Sequence, residues 1–202
     1  PVQPANGEWV DADEWRSYNV ARDPVAITGC VLWLDAATIP SQSNDTDLDE
    51  WPAVVGPTPE QTTATNKPHY RTADGPGSTP AVSFNGTSHY FALGHTLSNR
   101  PWNHCTVIVV AKFGSTSGEQ TFISQDLSGW SGDLLFGMNP HDSLSPAPNT
   151  TSGRVGAMFH STTANTHQIV EKTGTVDTTN FHAWALNIDN AAGVMDLWDG
   201  GS

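Results

Sequence analysis

The stretch from Cys105 to Gln125 decides the fold. It reads Cys-Thr-Val-Ile-Val-Val-Ala-Lys-Phe at 105–113, Gly-Ser-Thr-Ser-Gly-Glu at 114–119 and Gln-Thr-Phe-Ile-Ser-Gln at 120–125. The four consecutive β-branched residues at 107–110 predict a strand whose two faces both meet apolar neighbours. The loop that follows combines glycines with hydroxyl side chains, which is typical of a turn into an antiparallel partner. We therefore expect a central antiparallel pair around which the chain packs.

The composition favours an all-β chain. The 202 residues include 18 Gly and 14 Pro, and few runs of Ala, Leu, Glu and Lys have helical spacing. A hydrophobic fraction of 37% is enough for one core. Frequent turns with few helices predict a domain built from many short strands.

Nine strands are predicted along the chain, at 30–35, 81–85, 105–113, 120–125, 133–138, 155–160, 167–171, 181–188 and 194–198. The pair Asn85–Gly86 predicts a tight hairpin between the segments on either side of it. The segment 181–188 alternates strictly, with Phe181, Ala183, Ala185 and Asn187 on one face. Short strands at this spacing indicate an antiparallel two-sheet β-sandwich or jelly roll over 25–202.

The first 24 residues are predicted to form an extended N-terminal arm that precedes the sandwich. They contain two prolines near the start, an Asn-Gly pair and a short helix signal. Trp9, Trp15 and Tyr18 are costly to leave in water. The sequence leaves two interpretations open: these rings pack against the sandwich, or they dock on a partner protein.

The charge excludes two classes of partner. Eight Lys and Arg against 21 Asp and Glu give a net charge of −13, which repels nucleic acid and anionic membrane surfaces. No apolar run reaches membrane length, so we expect no membrane insertion. The start Pro-Val-Gln-Pro lacks the features of a signal peptide.

The two cysteines, Cys30 and Cys105, lie at or near the start of apolar runs. No spacing typical of a metal site accompanies them. The sequence favours two unpaired core thiols over a disulfide.

One acidic loop is a candidate calcium site. Asp45, Asp47 and Asp49 occupy alternate positions, as carboxylates do where a loop wraps oxygen ligands around Ca²⁺. Glu50 stands where such a loop requires glycine. The sequence favours a solvated acidic loop and predicts no other cofactor.

A second candidate site would bind carbohydrate. Trp130 lies in a glycine-flanked loop where its ring can be exposed, and Asn139, His141 and Asp142 follow one strand later. An aromatic ring with nearby amide and carboxylate groups is what a sugar site requires. The alternative is that Trp130 covers one end of the sandwich.

The motifs, taken in order, resemble the concanavalin A-like lectin/glucanase superfamily in its laminin-G-like form. The resemblance rests on Gly-Cys-Val-Leu-Trp-Leu-Asp-Ala at 29–36, Lys-Pro-His-Tyr at 67–70, Pro-Ala-Val-Ser-Phe-Asn-Gly-Thr at 80–87, the strand 106–113 and the closing segment 182–200. Such domains are associated with tail and capsid proteins of bacteriophages. In that family, further strand is expected after Asp199–Gly200.

The resemblance implies a non-enzymatic virion component, such as a minor tail, receptor-binding or capsid decoration protein. It would be displayed in many copies on the virion surface, bound to other virion proteins through the arm and adhering to host cell-wall glycans. The alternative is a secreted carbohydrate-binding module of a bacterial polysaccharide-active protein. A glycosidase is the third reading, and it is disfavoured because no two of Glu50, Glu60, Glu119 and Glu171 lie within nine residues of each other.

Overall fold

A computed structural model describes residues 29–94, 104–125, 134–139, 153–161, 166–189 and 194–200. The strands are β1 (Trp33–Leu34), β2 (Thr46–Asp47), β3 (Ala53–Val55), β4 (His69–Arg71), β5 (Ala81–Ser83), β6 (His104–Ala111), β7 (Gln120–Gln125), β8 (Leu134–Met138), β9 (Val155–Ser161), β10 (Thr166–Glu171), β11 (His182–Asp189) and β12 (Val194–Asp199). Short 3-10 helices cover Ala36–Thr38, Ala64–Asn66 and Pro76–Ser78. The described chain contains no α-helix, and none of its helices is long and apolar enough to cross a membrane.

All strand pairs are antiparallel, which confirms the all-β prediction. Eight of the nine predicted strands match the observed ones to within about two residues at each end, the usual disagreement over strand ends. The exception is β1, which is much shorter than predicted. Strands β2, β3 and β4 were not predicted, because segments of two or three residues are too short to show an alternating pattern.

The described residues divide into two compact units. The first unit comprises 29–74, 79–83 and 90–93, and the second comprises the remaining described residues. The predicted arm at 1–24, with Trp9, Trp15 and Tyr18, lies outside the described residues. Its boundary with a sandwich over 25–202 therefore stays a prediction.

The first unit contains two small sheets, β1–β3 and β2–β4–β5. Its core consists of Ile39, Leu48 and Tyr70, with Trp51 and Phe91 among the side chains packed against them. The side chain of Asp35 accepts a hydrogen bond from the backbone N–H of Ala37 and so caps the first 3-10 helix.

The predicted hairpin at Asn85–Gly86 is wrong. Strand β5 pairs with β4, with Tyr70 opposite Val82. Asn85 instead opens a loop, because its side-chain oxygen accepts hydrogen bonds from the backbone N–H groups of Thr87, Ser88 and His89 at 2.9–3.0 Å. An Asn side chain that satisfies several following N–H groups competes with strand pairing, and here it prevents the hairpin.

The second unit contains a four-stranded sheet in the order β10–β9–β8–β7 and a three-stranded sheet in the order β12–β11–β6. The predicted antiparallel pair of 105–113 with 120–125 is therefore wrong, because β6 pairs with β11 and β7 pairs with β8. Both sheets contribute to one core: Leu134, Phe136, Met138, Val155 and Ala157 come from the first, and Trp184, Leu186 and Ile188 from the second. The ring of Phe122 stacks on Phe113 and meets Phe136 edge-on. Apolar burial from both sheets stabilises this unit.

One glycine allows β7 and β8 to pair closely. Gly137 lies opposite Thr121, where the register shifts between Thr121 and Ile123. A Cβ atom at position 137 would overlap the backbone oxygen of Gln120 and lie 2.8 Å from the Thr121 Cα. The irregular pairing therefore requires a residue without a side chain.

Candidate functional site: the outer face of the three-stranded sheet

The strand register assigns the side chains of the three-stranded sheet to two faces. The inner face, which contributes to the core, carries Val107 opposite Leu186 and Leu186 opposite Leu197. The other face, called the outer face below, consists of His104, Thr106, Ile108, Val110, Ala183, Ala185, Asn187, Asp189, Val194, Asp196 and Trp198. Side chains alternate between faces along each strand, so this assignment follows from the pairing.

The outer face exposes large apolar side chains. The relative exposure is 68% for Ile108, 58% for Val110, 50% for Trp198 and 42% for Val194. This corrects the prediction that both faces of the central strand meet apolar neighbours. Burial alternates along β6, and only the residues at 105, 107, 109 and 111 are partly buried.

One row across the outer face combines an indole with small neighbours. Ala185 on β11 lies between Ile108 on β6 and Trp198 on β12. Adjacent strands lie about 4.8 Å apart, so the three side chains are direct neighbours. Because Ala185 carries a single methyl group, the side chain directly beside the indole on β11 is small.

The next row is polar. It consists of Thr106, Asn187 and Asp196, which lie opposite one another on the three strands. The Thr106 hydroxyl donates to the Asn187 Oδ1 at 3.1 Å, which leaves the Asn187 Nδ2 group as a donor. In the described part of the chain, no basic side chain forms an ion pair with Asp196, whose side chain is exposed.

A histidine fixes β12 beside this face. The His182 Nδ1 atom donates to the Asp199 Oδ1 at 2.9 Å, and its Nε2 lies 3.7 Å from the Asp177 Oδ2. The ring also stacks on Trp184, with 5.3 Å between the centroids. The hydrogen bond to Asp199, opposed by partial burial, raises the pKa of His182 above its ordinary value. The His182 ring thus links β11 to Asp199, the residue after Trp198.

The second carboxylate beside His182 is held in its charged form. Asp177 accepts hydrogen bonds from the Thr179 backbone N–H at 2.6 Å and from the Asn180 amide at 2.7 Å. These bonds, the backbone one above all, hold the pKa of Asp177 well below its ordinary value. The carboxylate therefore stays ionised beside the His182 ring.

The three aspartates of the predicted calcium loop each lie near a basic side chain. Asp45 lies 2.6 Å from the Arg71 Nη1, Asp47 lies 3.3 Å from the His69 Nε2, and Asp49 contacts the Lys67 ammonium. Such pairs stabilise the pairing of β2 with β4 modestly. Within the described ranges, no group of three His, Cys, Asp or Glu residues is placed to hold a metal ion. The structure thus does not assemble the three aspartates into one ligand group.

Of the predicted sugar-binding residues, Asn139 alone is described; Trp130, His141 and Asp142 lie outside the described residues. The Asn139 amide donates to the Gly118 carbonyl and accepts from the Gly153 backbone N–H. Both ends of the amide are therefore engaged by the backbone. Asn139 joins the loop before β7 to the turn before β9.

The structure brings together two glutamates that the sequence spacing had kept apart. Glu50 and Glu60 lie opposite each other in an antiparallel bridge, flanked by the hydrogen bonds Trp51 N to Pro59 O and Gln61 N to Asp49 O. This is the closer, non-hydrogen-bonded type of pair, with Cα atoms about 4.5 Å apart. Both side chains are exposed, so neither occupies the apolar surroundings that a general acid of a glycosidase requires.

Both cysteines are free thiols, as the sequence favours. Cys105 packs against the core of the second unit, whereas Cys30 belongs to neither core of the described residues. Each is half-buried. Burial raises the pKa of the Cys105 thiol to about 11, so it is not a reactive nucleophile near neutral pH.

The outer face could not be predicted from the sequence, because it depends on the register in which the three strands pair. The signal was the alternation at 181–188, which places Ala183 and Ala185 on one face and Trp184 and Leu186 on the other. Small residues on one face of a middle strand indicate that no large core lies over that face. Trp198 falls on the same face only once β12 is paired with β11.

Comparison with known proteins gives no relative from which a function could be transferred. No protein-family model, no curated protein and no solved structure matches this chain.

Proposed function

We propose that this chain is a non-enzymatic component of a bacteriophage particle: a minor tail, receptor-binding or capsid decoration protein built on a laminin-G-like jelly roll. The proposed two-sheet sandwich is supported by the core that both sheets of the second unit share. The family assignment is supported by the motifs at 29–36 and 182–200.

The observation that carries the proposal is the exposed outer face. An apolar patch on an otherwise polar protein marks an interaction surface. A net charge of −13 keeps such chains apart by repulsion, so contact is favoured where carboxylates are few. Strand β6 carries none among its eight residues. Among the described residues, the outer face combines four large exposed apolar side chains with only two carboxylates, Asp189 and Asp196, and is thus suited to contact.

The remaining parts of the proposal come from the sequence. The arm at 1–24, with Trp9, Trp15 and Tyr18, would bind other virion proteins and leave the domain at the virion surface. Display in many copies would make weak individual contacts sufficient, because effective concentration multiplies modest affinities. Catalysis is not part of the proposal, since the opposed pair Glu50 and Glu60 is exposed.

Locating the chain tests this proposal. Particles purified from lysed cultures are examined by mass spectrometry and cryo-electron microscopy, with an antibody to the chain as an independent label. We expect a fixed copy number per particle, and loss of incorporation when residues 1–24 are deleted. Absence from the particles, with recovery from the medium joined to a polysaccharide-degrading domain, would establish the secreted module instead.

A further inference from the structure

We propose that the outer face binds a neutral polysaccharide, with the Trp198 indole as the stacking platform and the row Thr106–Asn187–Asp196 as the hydrogen-bonding edge. This inference rests on the proposed receptor-binding role and assigns the ligand of that role. It locates the sugar on a sheet face, away from the loop residues that the sequence indicated.

Stacking is the first requirement. A sugar ring presents a face of C–H groups that packs on a flat aromatic surface. The Trp198 indole is half-exposed, and its neighbour in the row is Ala185, followed by the exposed Ile108. A ring laid on the indole can therefore extend over β11 toward β6 without meeting a bulky side chain on β11.

Hydrogen bonding beside the platform is the second requirement. Asp196 lies two residues from Trp198 on the same face of β12, about 7 Å along the strand at 3.4 Å per residue. Asn187 lies opposite Asp196 and retains the Nδ2 donor, because its oxygen already accepts from Thr106. A donor and a carboxylate acceptor side by side can bind two neighbouring sugar hydroxyls.

The charges on the face select a neutral ligand. Its single basic residue, His104, is paired with Asp189 at 3.2 Å between Nδ1 and Oδ1. Asp196 would repel sulfated, phosphorylated or uronate chains, as would the net charge of −13. A second copy of this chain or an apolar protein surface fits less well, because covering the face would desolvate the Asp196 carboxylate without a partner.

The test uses the full chain in affinity gel electrophoresis. The probes are three neutral polysaccharides, namely a dextran, a mannan and a β-1,3-glucan, with polygalacturonate as the anionic comparison. We expect at least one neutral probe to retard the wild-type chain and polygalacturonate to have no effect. For that neutral probe, Trp198→Ala should weaken binding at least tenfold, whereas Trp198→Phe should keep part of it.

The matched control is Trp33→Ala, which removes an indole of similar exposure, 39%, from the first unit. Binding should be unchanged in that variant. Thermal melting of each variant verifies folding. A second polar variant, Asn187→Ala, should also reduce binding, and it alters no apolar side chain.

Three outcomes would overturn the inference. The first is that none of the neutral probes retards the wild-type chain. The second is that Trp130→Ala abolishes binding while Trp198→Ala retains it, which would locate the sugar at the loop. The third is that Ile108→Ser abolishes a concentration-dependent self-association while no sugar binds, which would assign the face to a second copy. Each leaves the proposed virion function standing, since that depends on the location of the chain in particles.

Discussion

Strands β8 and β6 carry similar apolar runs in different surroundings. In β8, Leu134, Phe136 and Met138 have no exposed surface, and Gly137 is buried on the opposite face. In β6, Ile108 and Val110 are more than half exposed. The difference lies in what covers the second face of each strand, because Leu135 and Gly137 of β8 are partly or fully buried, whereas the second face of β6 is exposed. A run of apolar residues therefore predicts a strand but not burial of both its faces.

The largest effect that tests this comparison is expected in β8. Replacing Phe136 by Ala removes a fully buried ring that meets Phe122 edge-on at 5.2 Å. We expect the free energy of unfolding to fall by roughly 3–5 kcal/mol, as lost burial and a residual cavity both contribute. Denaturant unfolding measures the loss.

The control for this variant is Phe84→Ala, the same chemical change at a side chain that is 46% exposed in the same unit. It should destabilise the chain far less. Equal losses in both variants would show that the contrast between buried and exposed apolar residues does not govern the stability of this unit.

A smaller change in the free energy of unfolding is expected from pH, and it arises from His182 in the three-stranded sheet. The pKa of His182 is raised above its ordinary value of 6.5 by the hydrogen bond to Asp199. Its stabilising contribution is therefore fully present below that value and is lost as the pH rises through the raised pKa of the folded state. In His182→Asn, which cannot be protonated, this part of the pH dependence should disappear.

The measurement is chemical denaturation of both chains from about pH 6 to pH 9, the range in which histidine titrates. The free energy of unfolding should decrease with pH more steeply for the wild-type chain than for the variant. Asp177→Asn serves as the comparison at low pH, since the pKa of Asp177 is lowered. Its contribution should be lost only as the pH falls below the ordinary value of 3.8. If the free energy of unfolding changed with pH in parallel for wild type and His182→Asn, protonation of His182 would be excluded as the cause of the pH dependence.

The smallest effect on stability is expected on the outer face of β6. Ile108→Thr keeps a β-branched residue in the strand and changes a side chain that is 68% exposed. The free energy of unfolding should change by about 0.5 kcal/mol or less. Thermal and denaturant unfolding would check this, and a loss comparable to that of Phe136→Ala would show that the outer face is covered in the folded protein.

The sequence was sufficient for the strands whose signal is local. The alternation at 181–188 and the apolar run at 105–113 determined strands β11 and β6 with nearly correct bounds. The loop at 114–119 misled the pairing, because β6 pairs with β11 and β7 pairs with β8 in a different sheet. The region between Pro40 and Thr79 resisted prediction, because its strands are too short for periodicity and are held by long-range pairs such as Asp45 with Arg71. The opposition of Glu50 and Glu60 was likewise invisible, since it arises when the chain returns on itself.

The candidate site was only partly predictable, for a related reason. The sequence predicted a sugar site from an indole, an amide and a carboxylate that lie close together in the chain, at 130–142. Asn187, Asp196 and Trp198 satisfy the same chemistry across two strands, and Thr106 is supplied by a third. Neighbours across a sheet are set by register, which single-sequence patterns leave undetermined.

The close approach at Gly137 also restricts how this protein can diverge. Phe136 and Met138 can exchange for apolar residues of similar volume, because cores tolerate such substitutions. Position 137 has no such freedom, since any side chain would overlap the Gln120 backbone. A descendant that keeps the pairing of β7 with β8 must keep this glycine. A glycine between two large apolar residues, opposite an irregular strand, is thus a feature by which a distant homologue can be recognised after its surface has changed.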